Sequence, residues 1–364
     1  MSEAVLRVKD LQTQFQTRAG VLKAVDGVSF EVARGRILGL VGESGSGKSV
    51  TGYSILGLIE PPGKISGGEV LLNGKDLTRL KGEAIRQVRG AQIAMVFQDP
   101  MMTLNPVLKI GTQMIAAVRA HSRVSRKVAR GRARDALAKV GIPSPEERLD
   151  TYPHQLSGGM RQRVAIAIAL LHSPAVIIAD EPTTALDVSI QGQILAEVRR
   201  LADETGTAFV WVTHDLAVVS SLADDICVMY AGRVVESGPA AEVIASPRHP
   251  YTAGLLMSVP AEHEPGTKLP QVPGSTPSLA NLPPGCAFAP RCFKAGPACT
   301  TTPPVQQFED GRTALCHYPI EPVSCQPLSL TSPTYRRASY STPIWDSALP
   351  AFSEPARRQK SCAR

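Results

Sequence analysis

No apolar run in this chain is long enough to cross a bilayer. The longest, Val164 to Leu171 and Ala175 to Ala179, fall far short of the roughly 20 residues a spanning helix needs. Met1-Ser2-Glu3-Ala4 lacks the features of a secretion signal, so any membrane role is expected to come through a partner. Aromatic residues make up only 5% of the chain, and no basic stripe is interleaved with them, which argues against a nucleic-acid surface. The formal charge of +7 does not restore that reading. Residues 323–364 alone carry Arg336, Arg337, Arg357, Arg358, Lys360 and Arg364 against Asp346 and Glu354, the pattern of a solvated basic tail. Internal repeats are absent. So is a tight C-x₂₋₄-C pair, although Cys286, Cys292, Cys299 and Cys316 cluster near the end at spacing C-x₅-C-x₆-C-x₁₆-C. With no secretion signal, such a cluster points to metal or redox chemistry before disulfides.

What is present is a phosphate loop. Gly42-Glu43-Ser44-Gly45-Ser46-Gly47-Lys48-Ser49 reads G-x-x-x-x-G-K-S directly after the apolar run Ile37 to Val41, the order strand, glycine loop, helix start. Gly42, Gly45 and Gly47 let the backbone turn its N–H groups inward with no Cβ in the way, with Ser44 between them. The helix beginning near Gly47 adds its positive end, so the loop suits a polyphosphate. Lys48 would reach the β- and γ-phosphates and the Ser49 hydroxyl would take a Mg²⁺ position.

The rest of the chain, 364 residues with room for about two domains, alternates strand and helix. Leu6 to Phe15 and Val21 to Val32 read as paired strands joined at Arg18-Ala19-Gly20, and Val50 to Ile59 as a helix stopped by Pro61-Pro62-Gly63. Pro106 to about Val140 is helical and basic, broken at Gly141-Ile142-Pro143, and looks like an insertion. Leu156-Ser157-Gly158-Gly159-Met160 opens a helix to Leu171. Strands then end at Ala179, Val212 and Tyr230 around a helix over Val188 to Glu204. Such alternation means a parallel sheet covered by helices, an α/β fold. Phe15, before its turn, is placed either to stack on a purine ring or to sit half-buried in its strand. Asp180, Glu181, Gln98 and His214 each follow an apolar strand, at the sheet edge where ligands of α/β folds bind. There Asp180 would hold Mg²⁺ or its water shell, and Glu181 would accept a proton from an attacking water. Gln98 would ligate Mg²⁺ and position water, and His214 would hydrogen-bond the γ-phosphate.

The phosphate loop, Gln98 after Val96-Phe97, Leu156 to Gly159, Asp180-Glu181, Ala185-Leu186-Asp187 and His214 together resemble the ordered motif set of ABC ATPases, over about residues 5 to 255. The resemblance implies a P-loop NTPase fold with a helical subdomain at about 100–165, bound ATP and Mg²⁺, and ATP hydrolysis. It also implies that Ser157, Gly158 and Gly159 of one subunit cap the nucleotide held by another. Met160 departs from the commonest pattern, glutamine, but leaves the backbone donors intact. Gln98-Asp99-Pro100, Thr103 to Pro106, Arg248 to Thr252 and the proline- and cysteine-rich segment ending Cys316-His317 narrow the resemblance to ATP-binding subunits of oligopeptide and dipeptide importers. Met101-Met102-Thr103 stands where Met-Thr-Ser is expected.

That resemblance implies a peripheral ATPase on the cytoplasmic face of the inner membrane. Its partners would be two membrane-spanning permease subunits, a second and distinct ABC ATPase, and indirectly an extracytoplasmic binding protein; no nucleic acid is among them. Nickel, glutathione or another small solute stays open as cargo. A DNA-acting ABC ATPase would need a long coiled-coil insertion, yet only about 109 residues separate Lys48 from Ser157. A ribosome-bound factor would carry two motif sets. The expected division is a nucleotide-binding domain over 1–255, a proline- and cysteine-rich domain over 256–322, and a tail over 323–364 with no packed core. The four cysteines suit a [4Fe–4S] cluster or Zn²⁺, the resemblance favouring the cluster, with His317 a bystander.

Overall fold

The structure, a computed structural model, describes residues 3–18, 20–184, 186–259 and 270–321. The tail over 323–364 and Ala185 lie outside the described residues. The paired strands expected at the start are β1 (Ala4–Thr17) and β2 (Gly20–Ala33), antiparallel with Phe15 opposite Leu22 and Thr17 opposite Gly20. A further sheet begins with β3 (Ile37–Val41), which feeds the phosphate loop and α1 (Lys48–Ile55). The chain then returns as β4 (Gly63–Leu72) and β5 (Lys75–Asp76), completing a four-stranded antiparallel sheet of order β2-β1-β4-β5.

The helix α1 stops at Ile55 rather than Ile59. Gly57 takes φ +62°, free of Cβ strain, and its N–H reaches the Ser54 carbonyl at 3.0 Å, the usual glycine close to a helix. After α2 (Glu83–Val88) and β6 (Ile93–Val96), helices dominate: α3 (Pro100–Thr103), α4 (Ile110–His121), α5 (Arg126–Lys139), α6 (Pro145–Arg148) and α7 (Gly158–Leu170). The stretch read as one helical run from Pro106 is two helices. The Ser125 hydroxyl accepts the Val128 N–H at 3.3 Å and so caps α5, while the chain before it is extended.

Next come β7 (Val176–Asp180), α8 (Val188–Thr205), β8 (Ala208–Thr213), α9 (Leu216–Leu222), β9 (Asp225–Tyr230), β10 (Arg233–Pro239), α10 (Ala240–Ala245) and α11 (Pro250–Met257). With β11 (Val305–Gln307) and β12 (Thr313–Leu315) they complete an eight-stranded sheet of order β11-β12-β10-β9-β3-β8-β7-β6, parallel from β9 to β6. Every residue of β3, β7 and β8 is buried, as continuous apolar strands in a parallel sheet require. Alternate side chains serve two cores. Ile177, Ala179, Phe209 and Trp211 face α7 and α8, whereas Val176, Ile178, Val210 and Val212 join the core under the antiparallel sheet.

The described residues 270–321 have little apolar content of their own, and they share a core with the rest of the chain. The strand β12 pairs with β10 through Glu236–Ala314 and Ser237–Thr313. Phe288 meets the rings of Tyr230 and Tyr251 edge-on at 5.2 and 5.3 Å, in a cluster that includes Cys286 and Cys299. Truncating a fully buried phenylalanine costs about 3–5 kcal/mol. Phe288→Ala is therefore expected to lower the urea midpoint of the main unfolding transition. A variant that lost only a separate, minor transition would show the segment to be independent.

Candidate functional site

Strand register builds the site. Val41 lies beside Thr213, Asp180 beside Val212, and Val96 beside Ala179, so the loops after four parallel strands emerge at one edge. There they line a cleft of about 740 Å³ that includes Phe15, Lys48, Ser49, Gln98, Glu181 and His214. The loop glycines are needed for distinct reasons. A Cβ on Gly42 (φ +156°) would stand 2.2 Å from the Met229 carbonyl oxygen, and one on Gly47 (φ +101°) 2.3 Å from that of Ala24. Gly45 (φ +80°) has nothing within 4 Å and faces open space in the cleft.

Lys48 is buried, and its ammonium donates to the carbonyls of Gly42 at 2.7 Å and Glu43 at 2.9 Å. Burial lowers its pKa, opposed by the charges of Glu181, Asp180 and Glu43. Ser49 Oγ donates to Asp180 Oδ1 at 2.9 Å, while Asp180 Oδ2 is buried without a hydrogen-bond partner. Burial raises the Asp180 pKa, Glu181 adds to the rise, and Ser49 and Lys48 restrain it. A half-buried hydroxyl beside a buried carboxylate with one oxygen unsatisfied fits a hard divalent cation, so Ser49 and Asp180 are among the residues that would hold Mg²⁺. When bound, Mg²⁺ would neutralise charge on the nucleotide's phosphate oxygens.

Glu181 is the hub. Its N–H donates to the Val212 carbonyl at 2.9 Å, and it sits at φ +43°, a costly region for a non-glycine residue and one common at functional sites. Gln98 Nε2 donates to Glu181 Oε2 at 3.3 Å, Thr184 Oγ1 donates to the same oxygen at 3.0 Å, and His214 Nδ1 stands 3.3 Å from Oε1. The carboxylate is thus aimed from two sides at the cleft, where it can take a proton from water attacking a γ-phosphate. His214 and Gln98 are placed to orient that water, and Lys48 to meet the phosphate charge. Phe15, Leu22 and Ala24 form an apolar wall of the same cleft, suited to a purine face.

Ser157, Gly158 and Gly159 do not line this cleft. Ser157 caps α7, its Oγ accepting the Met160 N–H at 3.3 Å, and Ser157 and Gly158 are exposed. A Cβ on Gly159 would stand 2.5 Å from Ile190 Cγ2, so that glycine is also a packing requirement. Near Gln98, Leu104 is core at 2% exposure, whereas Met101 (38%) and Val107 (76%) are exposed. The side chain of Met102 lies outside the described residues.

Three residues beyond position 250 reach the phosphate loop, and sequence reasoning gave none of them a role there, although Tyr251 lies in the Arg248 to Thr252 stretch it singled out. The Tyr251 hydroxyl accepts the Glu43 N–H at 2.9 Å, Thr276 Oγ1 donates to Glu43 Oε2 at 2.5 Å, and Arg291 grips both Glu43 oxygens at 2.7 and 2.9 Å. Burial alone would raise the Glu43 pKa, but the bonds from Arg291 and Thr276 hold it below its ordinary value. The loop pattern leaves position 43 free, so no sequence signal marked it.

Cys286, Cys292, Cys299 and Cys316 are free thiols. Burial pushes Cys292 up to about 12 and Cys316 up to about 11, the neighbouring thiols adding to each rise. Among the described residues, no three His, Cys, Asp or Glu side chains form a group that could hold a metal ion.

A phosphate loop, a cation pair and a strand-end glutamate held by glutamine and histidine define an ATP-hydrolysing cassette of the ABC type. The comparisons agree: residues 25–184 match the ABC transporter family, and residues 235–299 match the family described as oligopeptide/dipeptide transporter, C-terminal region. The chain is 46% identical over 326 residues to the probable D,D-dipeptide transport ATP-binding protein DdpD of Escherichia coli (strain K12), covering 89% of this chain and 99% of that protein. It is 47% identical over 316 residues to the dipeptide transport ATP-binding protein DppD of Bacillus subtilis (strain 168), covering 86% and 94%. Among solved structures, the ATP-binding cassette MJ0796, a dimer in a post-hydrolysis state with ADP and Pi, superposes with TM-score 0.58 at 29% identity, over 65% of this chain and 98% of that one. The chain belongs to the ABC transporter ATPases, in the branch that carries the oligopeptide/dipeptide transporter C-terminal region.

Glu181→Gln is expected to keep ATP binding and to lower turnover in the assembled transporter at least about a hundredfold, the scale of losing a general base. Lys48→Ala is expected to weaken nucleotide binding itself. Steady-state hydrolysis with a parallel nucleotide titration separates the two, and near-normal turnover of the Gln variant would remove Glu181 from its role.

Proposed function

We propose that this ATPase powers the import of di- or oligopeptides through two membrane-spanning partner subunits, from the cytoplasmic face of the inner membrane. The observation that carries this reading is the match of residues 235–299 to the oligopeptide/dipeptide transporter C-terminal region, joined to relatives whose names specify dipeptide transport. Among the described residues no helix is long and apolar enough to cross a membrane. Of Met101, Met102 and Leu104, the apolar residues shortly after Gln98, the exposed Met101 forms the contact with a permease subunit, whereas Leu104 is core. The functional division follows 1–255 for nucleotide, 256–322 for the proline- and cysteine-rich part, and 323–364 for the basic tail.

Within this reading Gln98, Glu181 and His214 carry hydrolysis. Phe15, Gly42, Ser44, Gly45, Gly47, Lys48 and Ser49 hold ATP, and Ser49, Gln98 and Asp180 hold Mg²⁺. Exposed Ser157 and Gly158, away from the chain's own cleft, support capping of a second cassette's nucleotide, since a helix start with an exposed hydroxyl suits a γ-phosphate. That second cassette is a distinct chain, and a binding protein outside the membrane delivers the cargo. The test is uptake of a labelled dipeptide by cells expressing this chain together with two permeases, a binding protein and a second ATPase of a dipeptide importer. Uptake lost in Lys48→Ala supports the reading, whereas uptake of nickel or glutathione but not dipeptide redirects it. Full activity with this chain as the only ATPase would remove the distinct partner.

The same reading places a [4Fe–4S] cluster at Cys286, Cys292, Cys299 and Cys316, a four-thiolate donor set, with Zn²⁺ as the other group those ligands accept. Its support is the donor set and a backbone N–H, that of Lys294, which donates to Cys292 Sγ at 3.4 Å. The thiols as placed are not closed around an ion, so no step of the ATPase is routed through them. Protein purified without oxygen is expected to contain iron and acid-labile sulfide in near-equal amounts. Stoichiometric zinc without sulfide would defeat the cluster.

A further inference from the structure

The Glu43 contacts are too specific to be incidental packing. Glu43 is the second residue of the phosphate loop, and its backbone N–H and both carboxylate oxygens are held by Tyr251, Thr276 and Arg291. Its carbonyl is one of the two that receive the Lys48 ammonium. Arg291 is itself fixed: it is 6% exposed, its Nε donates to the Pro273 carbonyl at 2.8 Å, and its guanidinium lies 5.8 Å from the Tyr230 ring centre. Two parallel N–H···O bonds from a buried, immobilised guanidinium set a carboxylate's position as well as its charge.

From this geometry we infer that Arg291 is a positioning residue for ATP, acting through Glu43 from the cysteine-rich segment. It has two effects. It fixes the loop carbonyls that orient Lys48, and it neutralises a carboxylate that would otherwise add negative charge beside a bound triphosphate. The electrostatic effect gives the inference its distinctive sign. Removing Arg291 exposes an uncompensated, partly buried carboxylate to the incoming phosphates. Removing the carboxylate's charge at the same time takes that repulsion away. A clamp that served stability alone would show no such relief, because the double variant would have lost both halves of it.

The test is titration of the purified full-length chain with a non-hydrolysable ATP analogue and Mg²⁺, beside hydrolysis kinetics in the assembled transporter. Arg291→Ala is expected to weaken analogue binding by about tenfold and to raise KM for ATP by a similar factor. The value of kcat at saturating ATP should change by less than about threefold, since Arg291 touches no reacting atom. Glu43→Gln alone should weaken binding less than Arg291→Ala, since it loses the fork without leaving an unpaired carboxylate, and Arg291→Ala with Glu43→Gln should recover at least half of the lost affinity on a logarithmic scale. Arg291→Lys keeps the charge without the fork and should fall between. It carries the test if the alanine variant does not fold. Unchanged affinity in both Arg291 variants would overturn the inference, and so would an Arg291→Ala defect that Glu43→Gln fails to relieve.

Discussion

The interaction on which this molecule depends is the parallel pairing of β6, β7, β8 and β3. The pairs Val96–Ala179, Asp180–Val212 and Val41–Thr213 fix where each strand ends, and each strand is followed within two positions by a residue of the site. Side chains on a strand alternate faces, so a slip of one residue would turn Ile177 and Ile178 to each other's core. It would also move Glu181 away from Gln98 and His214. The hydrophobic cost of the slip therefore protects the chemistry: the apolar residues that specify register also set the geometry of the carboxylate.

The same pairing demands cover on both faces, and this governs the glycines away from the phosphate loop. A Cβ on Gly39, in the middle of β3, would stand 2.4 Å from Val219 Cγ1, so α9 can lie as close as it does only over a glycine. Asp26 and Gly232 add a backbone tie between the two sheets. The Asp26 N–H donates to the Gly232 carbonyl at 2.8 Å, and the Gly232 N–H to that of Ser46 at 2.9 Å. Arg233 closes on Asp26 with two bonds to Oδ2, at 2.9 and 2.6 Å. The loop is thus tied through Gly232 to β2 by backbone hydrogen bonds.

Much of this was legible in the sequence, because the informative residues lie next to the elements that place them. Asp180 and Glu181 stand at the end of an apolar strand, Ser157 stands at a helix start, and the eight positions of the loop are contiguous. Other features required the fold. The break at Ser122 to Ser125 is visible as a capping serine only once α5 is known to start there. The clamp on Glu43 joins residues more than two hundred positions apart, through types that carry no local signature. Sequence composition reads the segment over 256–322 as too poor in apolar groups for a core of its own. It could not say that Tyr230, Tyr251 and Phe288 would supply a shared one.

Charge balance explains why the site needs help from that segment. Lys48 feels three carboxylates, those of Glu181, Asp180 and Glu43, and one buried ammonium cannot offset them all. A triphosphate brought to this cleft would meet net repulsion unless the acids were neutralised in turn. Each acid has its own partner. Asp180 presents an unsatisfied oxygen beside Ser49, the place for a divalent cation, and Arg291 covers Glu43. Glu181 is held at the cleft by Gln98, Thr184 and His214. The carboxylate held by hydrogen-bonding groups at the cleft rather than by a guanidinium is therefore the one placed to take a proton from water.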